Sequence, residues 1–209
     1  FPNCKINIGL HITEKRADGF HNLESIMTPV HWHDILEIVK GEENASDVEY
    51  KSTGIRIYGA KETNLCVKAY QLLAKDFSLP PVKIHLHKII PIGAGLGGGS
   101  SDAAFALSML NSIFKLNINE ETLDNYAARL GSDCPFFLHN KTIFAYERGD
   151  KFEQVKTSGK EYVIVLVKPK VHVNTTEAYS WIKHVKRKQS LKDLIQQPIE
   201  SWKENIFND

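Results

Sequence analysis

Between residues 91 and 102 the chain reads PIGAGLGGGSSD, with glycine at positions 93, 95, 97, 98 and 99 and serine at 100 and 101. A helix or strand interior does not tolerate that density of glycine. The stretch must be a loop whose backbone takes positive φ and lies close to something else. Its flanks limit the fold further. Residues 82–87, Val-Lys-Ile-His-Leu-His, alternate apolar and polar as a strand with one wet face does. After the loop, Ala103, Ala104, Phe105, Ala106, Leu107, Leu110 and Ile113 read as a packed helix, with Ser100 or Ser101 as the expected N-cap. Strand, glycine loop and helix in that order aim several amides and the positive end of a helix at one point. A nucleotide phosphate is the expected guest.

Three other glycine-loop chemistries are weighed against these residues. A Walker A loop ends in Gly-Lys-Ser/Thr, so that a lysine meets the phosphates and a hydroxyl meets magnesium, whereas this loop ends Gly99-Ser100-Ser101. A dinucleotide fingerprint is matched literally by Gly93, Gly95 and Gly98, but the alternating strand before it suits a half-wet sheet and not a doubly wound parallel one. No acid follows at the right distance either, since Glu120 and Glu121 read as the first turn of a helix capped by Asn119. Protein-kinase signatures are absent.

What remains resembles the GHMP kinase family, small-molecule kinases whose ATP phosphates lie in a P-x-G-x-G-L-G-x-x-S loop, matched throughout by residues 91–101. Pro2-Asn3-Cys4-Lys5-Ile6-Asn7 resembles the family's first motif, P-A-K-x-N, with Asn-Cys where a single alanine is usual. Residues 16–21, Arg-Ala-Asp-Gly-Phe-His, and 131–137, Gly-Ser-Asp-Cys-Pro-Phe-Phe, resemble two further motifs, in the family's order. The triple glycine followed by two serines, with the segment 16–21, resembles the branch acting on a cytidine diphosphate-linked methylerythritol. Other branches, of mevalonate or homoserine type, and a noncatalytic nucleotide-binding relative are the alternatives.

The resemblance implies an α+β chain with the two-domain GHMP kinase fold and the active site in the cleft between domains. Residues 1–149 would be the ATP-binding domain and 150–209 the second, incomplete one. It implies ATP with Mg²⁺ as cofactor, held by Pro91, Gly93, Gly95, Leu96, Gly97, Gly98, Gly99, Ser100 and Ser101 around the phosphates. Asn64, Leu65 and the backbone around Lys88 would hold the adenine. Asn64 reads equally well as an N-cap. Lys5 and Asp133 are implied as the catalytic pair; from the residues alone, Lys5 and Asn7 share the polar face of a strand, and Asp133 is a turn residue after a helix ended by Gly131. Asn7, Phe20, His21 and Tyr179 would hold the acceptor, with Phe20 stacking on cytosine where the family often has tyrosine. Between Asp150 and Asp209 nothing resembles the family's third glycine-rich motif, and the chain is expected to be a piece of a longer protein.

A length of 209 residues allows one large core or two small ones. A formal charge of +1 and the absence of a basic run beyond residues 183–188 give no case for nucleic acid. Three cysteines without a paired framework point to a reducing, cytoplasmic setting. No apolar run approaches the ~20 residues that span a bilayer, so no membrane partner is expected. His31 with His33 and His85 with His87 share strand faces, but nothing nearby completes a metal-ligand spacing. Residues 162–167 are expected to form a strand buried on both faces, with helices near 176–183 and 190–196 and another over 199–209.

Overall fold

The computed structural model describes residues 1–42, 47–157, 162–169, 181, 187 and 189–209. The alternation at 82–88 does form a strand, β5 (Val82–Lys88), with Val82, Ile84 and Leu86 buried and Lys83, His85 and His87 turned outward. It is the middle of a three-stranded sheet. β3 (Ile35–Lys40) pairs with it antiparallel, Glu37 opposite His85, and β4 (Val48–Gly54) pairs with it parallel, Thr53 opposite His87. A parallel pair needs a crossover, and α1 (Leu65–Leu73) supplies it between β4 and β5.

Three more helices follow: α2 (Gly98–Ile113), α3 (Glu120–Leu130) and α4 (Cys134–His139). Their apolar sides and that of α1 close one core with the inner face of the sheet, including Leu36, Ile84, Leu86, Leu73, Ala103, Leu107, Leu110 and Ala127. The cap read at Asn119 is present, its side chain accepting from the amide of Thr122. The serine cap expected for α2 is not. The helix begins at Gly98, and its N-cap is Gly97 at φ 68°, a left-handed conformation that serine adopts only with strain.

The second sheet has the order β1 (Asn3–Lys15), β2 (His21–His33), β6 (Ile143–Tyr146), β7 (Lys151–Gln154). β2 pairs antiparallel with β6, Ile26 opposite Phe144, and β6 with β7. A turn at residues 16–20 joins β1 to β2, with Gly19 at φ 83°. By contacts the chain divides into two compact units, residues 1–5 with 29–140 and residues 6–28 with 141–209. They interleave in sequence, because β1 and β2 belong partly to each. The second unit has its own core of Ile26, Phe144, Leu191, Leu194 and Ile195. In it the outer edge of β1 is lined by residues 206–209: Leu10 donates to the carbonyl of Phe207, and the Ile12 amide to the Asp209 carboxylate at 2.8 Å.

Two expectations for the later residues fail. Residues 162–167 form no strand, and Val163 and Val167 are 91% and 85% exposed, because no sheet partner covers them among the described residues. Residues 199–209 are not one helix but a 3₁₀ turn, a short helix Trp202–Asn205 and an extended end. The helix near 190–196 is present as Leu191–Leu194, capped by Ser190, whereas most of 176–183 lies outside the described residues.

Candidate active site

The glycine loop, residues 89–97, leaves β5 and enters α2 along one wall of a cavity of about 380 Å³. That volume falls in the range of small-molecule sites. Pro91, Gly93, Gly95, Leu96, Gly97, Gly98, Gly99 and Ser100 line it, with Asn64, Leu65 and Lys88. The structure therefore brings together every residue read as a nucleotide contact except Ser101, which is fully buried with a hydroxyl that has no hydrogen-bond partner. Ile57, Tyr58, Thr63 and Asp102 also line the cavity. Nothing in the sequence pattern distinguishes these four.

The loop's shape follows from its glycines. The first bond of the α2 ladder runs from the Ser101 amide to the Gly97 carbonyl, so the amides of residues 98–100 lie outside the ladder at the positive end of the helix. Gly97 allows two things at once. Its φ is left-handed, and a Cβ there would come within 2.8 Å of the Phe137 ring and 3.1 Å of Lys5 Cγ. The loop exit is thus pressed against Lys5, whose amide donates to the Leu96 carbonyl at 2.9 Å.

Lys5, on the polar face of β1, is only 5% exposed. The loop covers it. Its ammonium lies 3.5 Å from Asp133 Oδ2, and the Asp133 side chain, at the N-terminus of α4, keeps about a third of its surface open. The Cys134 thiol behind it is pushed by burial to about 11, out of range for nucleophilic work at neutral pH. A half-open carboxylate beside a buried cation, against an amide-rich loop, can orient a hydroxyl and neutralise charge that develops on a transferred group.

On the other side of the cavity, Asn64 caps α1, accepting from the Cys66 amide at 2.9 Å, while its amide group donates to the Tyr50 hydroxyl. The cap reading and the cavity reading hold together. Lys88 also lines the cavity. Its carbonyl accepts from the Ile55 amide, and its ammonium, 2.5 Å from Asp34 Oδ2 and 2.7 Å from Asp102 Oδ2, is held between two buried carboxylates. No feature of the sequence marks Asp34.

Of the residues read as acceptor contacts, Asn7 lies half-buried in β1 and His21 half-buried at the start of β2. Phe20 is 55% exposed, with the Arg148 guanidinium 4.2 Å from its ring centre. Tyr179 lies outside the described residues. His85 and His87 both bond the Thr53 hydroxyl, at 2.9 and 2.8 Å, and among the described residues no three His, Cys, Asp or Glu side chains are grouped to hold a metal. Among them also, no helix is long and apolar enough to cross a membrane.

Residues 64–141, from the N-cap of α1 through α4, match the model of the GHMP kinases N terminal domain. A 4-diphosphocytidyl-2-C-methyl-D-erythritol kinase of Bacteroides fragilis is 51% identical over the whole chain, which covers 76% of that relative. The kinases of the same name from Parabacteroides distasonis and Porphyromonas gingivalis are 45% and 40% identical, again over all of this chain and 76% of theirs. Among solved structures, a 4-(cytidine 5'-diphospho)-2C-methyl-D-erythritol kinase superimposes with a TM-score of 0.63 at 30% identity, over 75% of this chain and 54% of that one. The mevalonate kinase of Methanococcus jannaschii, with a TM-score of 0.55 and 13% identity over 77% and 56%, shares the α+β fold alone. With half of all positions shared along its full length, the chain belongs to the 4-diphosphocytidyl-2-C-methyl-D-erythritol kinases of the GHMP kinase family.

Proposed function

We propose that the protein transfers the γ-phosphoryl group of ATP to the 2-hydroxyl of 4-diphosphocytidyl-2-C-methyl-D-erythritol, a step of the non-mevalonate route to isoprenoid precursors. The observation that carries the reading is the Lys5–Asp133 pair, 3.5 Å apart, where the glycine loop leaves the cavity. ATP would place its phosphates against the loop amides and the start of α2, with its base toward Asn64, Leu65 and the Lys88 backbone. Asp133 takes the proton of the acceptor alcohol as its oxygen bonds to the γ phosphorus and the bond to the bridging oxygen of ADP breaks. Lys5 balances the charge. Because the transition state for such a transfer is loose, most of the acceleration comes from alignment and charge neutralisation.

Mg²⁺ fits this arrangement as a companion of ATP. It would be held by phosphate oxygens, waters and one or two protein oxygens, with the Ser101 hydroxyl, which has no hydrogen-bond partner, assigned as one of them. Once bound, the ion neutralises phosphate charge. Asn7, Phe20, His21 and Tyr179 are assigned to the acceptor, Phe20 offering a stacking face for cytosine. In this reading residues 1–149 bind ATP and 150–209 belong to the second family domain.

The test is ADP release with Mg-ATP and the cytidine-linked acceptor, with mevalonate, homoserine and no acceptor in parallel. Turnover confined to the cytidine substrate is expected, and Asp133→Ala should slow it by ~100-fold to ~10,000-fold. Turnover with mevalonate instead would move the protein to another branch, and an Asp133→Ala variant near wild-type rate would remove that residue from the chemistry.

A further inference from the structure

Asp34, Lys88 and Asp102 come from three separate places in the chain: the residue before β3, the last residue of β5 and the opening turns of α2. They meet around one ammonium, and all three are at most 4% exposed. Asp34 does more than pair with Lys88. Its other oxygen accepts from the amides of Ile89 and Ile90, at 2.6 and 2.8 Å, and these are the first two residues of the glycine loop. At the far end of the loop, Asp102 fastens α2 to the same ammonium. Gly98 makes room for this, since a Cβ there would lie 2.9 Å from Lys88 Nζ.

The charge balance is wrong for a phosphate contact. Two carboxylates already share the one ammonium at short contact, which leaves Lys88 little charge to offer a phosphate. A buried ionic cluster is also a weak device for stability, because apolar side chains of similar volume serve as well or better. What it does supply is fixed geometry at both ends of a segment rich in glycine, which would otherwise sample many backbone conformations.

We propose that Asp34, Lys88 and Asp102 are positioning residues for the nucleotide, clamping the entry and exit of the 89–97 loop so that its amides point at the phosphates, with Lys88 acting through the loop rather than on a phosphate. The proposal rests on the reading of this loop as the ATP site. It also gives Gly98 a reason that phosphate contact alone does not.

The experiment compares wild type, Asp102→Asn and Lys88→Met by amide hydrogen exchange, by calorimetric titration with Mg-ATP and by steady-state kinetics. Asp102→Asn leaves Asp34 and Lys88 as a balanced pair and so guards against a variant that fails to fold. In both variants, exchange across residues 89–97 is expected to quicken about tenfold, ATP binding to weaken by about the same factor and kcat to fall with the lost alignment, while the acceptor KM stays within about twofold. Exchange unchanged in the loop, or quickened equally in β2, β6 and α3, would reduce the cluster to general stability and overturn the proposal. So would a Lys88→Met variant in which kcat collapses while loop exchange stays as in wild type, since Lys88 would then touch the transferred group. Should wild type turn over no acceptor, the functional reading fails by itself, and exchange with ATP affinity still decides the clamp.

Discussion

Asp102 carries the clearest pH signature of any single side chain here. Burial pushes its carboxyl up to about 7, against the pull of Lys88 and with a further push from Asp34. The folded value thus lies above the ordinary 3.8 of an unfolded chain. The folded state holds this proton where the unfolded state has lost it, so the contribution is full below about pH 4 and is lost as pH rises through about 7. Asp102→Asn removes that slope. The difference in urea midpoint, variant minus wild type, should climb between pH 4 and 7 and level off above 8; a difference flat in pH would contradict the assignment. Asp34 and Asp102 also show why some of the site stays illegible in a sequence. Each is one carboxylate in its own segment, and only folding brings 34, 88 and 102 together. Lys5 and Asp133 are no better marked from composition; only the motifs around them set them apart.

Among the elements, strands and caps with a local cause are readable and those that depend on a distant neighbour are not. The alternation of β5 and the Asn119 cap of α3 follow from adjacent residues. The start of α2 differs from the serine cap expected because its cap is a glycine selected by what lies against it, the Phe137 ring and Lys5. Gly97→Ala is accordingly expected to unfold the protein at lower denaturant and to weaken ATP binding, through the left-handed φ and the 2.8 Å approach together. Gly54, at φ 78° with a Cβ position 2.2 Å from the Lys88 carbonyl oxygen, leaves no room at all, and Gly54→Ala should lower Tm more than Gly97→Ala does. Asn64 separates its two jobs by substitution. Asn64→Asp retains the oxygen that caps α1, whereas Asn64→Ala should cost about 1 kcal/mol of stability in a urea melt. If both weaken ATP binding alike, the Asn64 amide group, and not the cap, serves the nucleotide.

At the scale of the whole molecule, each unit has a core cluster of its own among the described residues, Leu36 with Ile84 and Leu107 in one and Ile26 with Phe144 and Leu191 in the other. Leu191 is fully buried in the second. Leu191→Ala should cost about 2–5 kcal/mol there, seen as faster amide exchange in β6 and β7, with α1 and α2 protected as before. Equal loss of protection in α1 and α2 would mean that the two units unfold as one. The order in which the chain is made bears on the same design. β1 lies at the edge of its sheet, and the Ile12 amide waits for a carboxylate 197 positions later in the sequence. At ~5–20 residues per second, translation takes roughly 10–40 seconds to deliver it. For that interval the nascent chain holds out a strand with one apolar face and an unpaired edge, the shape that recruits other strands. Slowing synthesis lengthens that interval, so the fraction of chains that reach the folded state is expected to fall as translation is slowed.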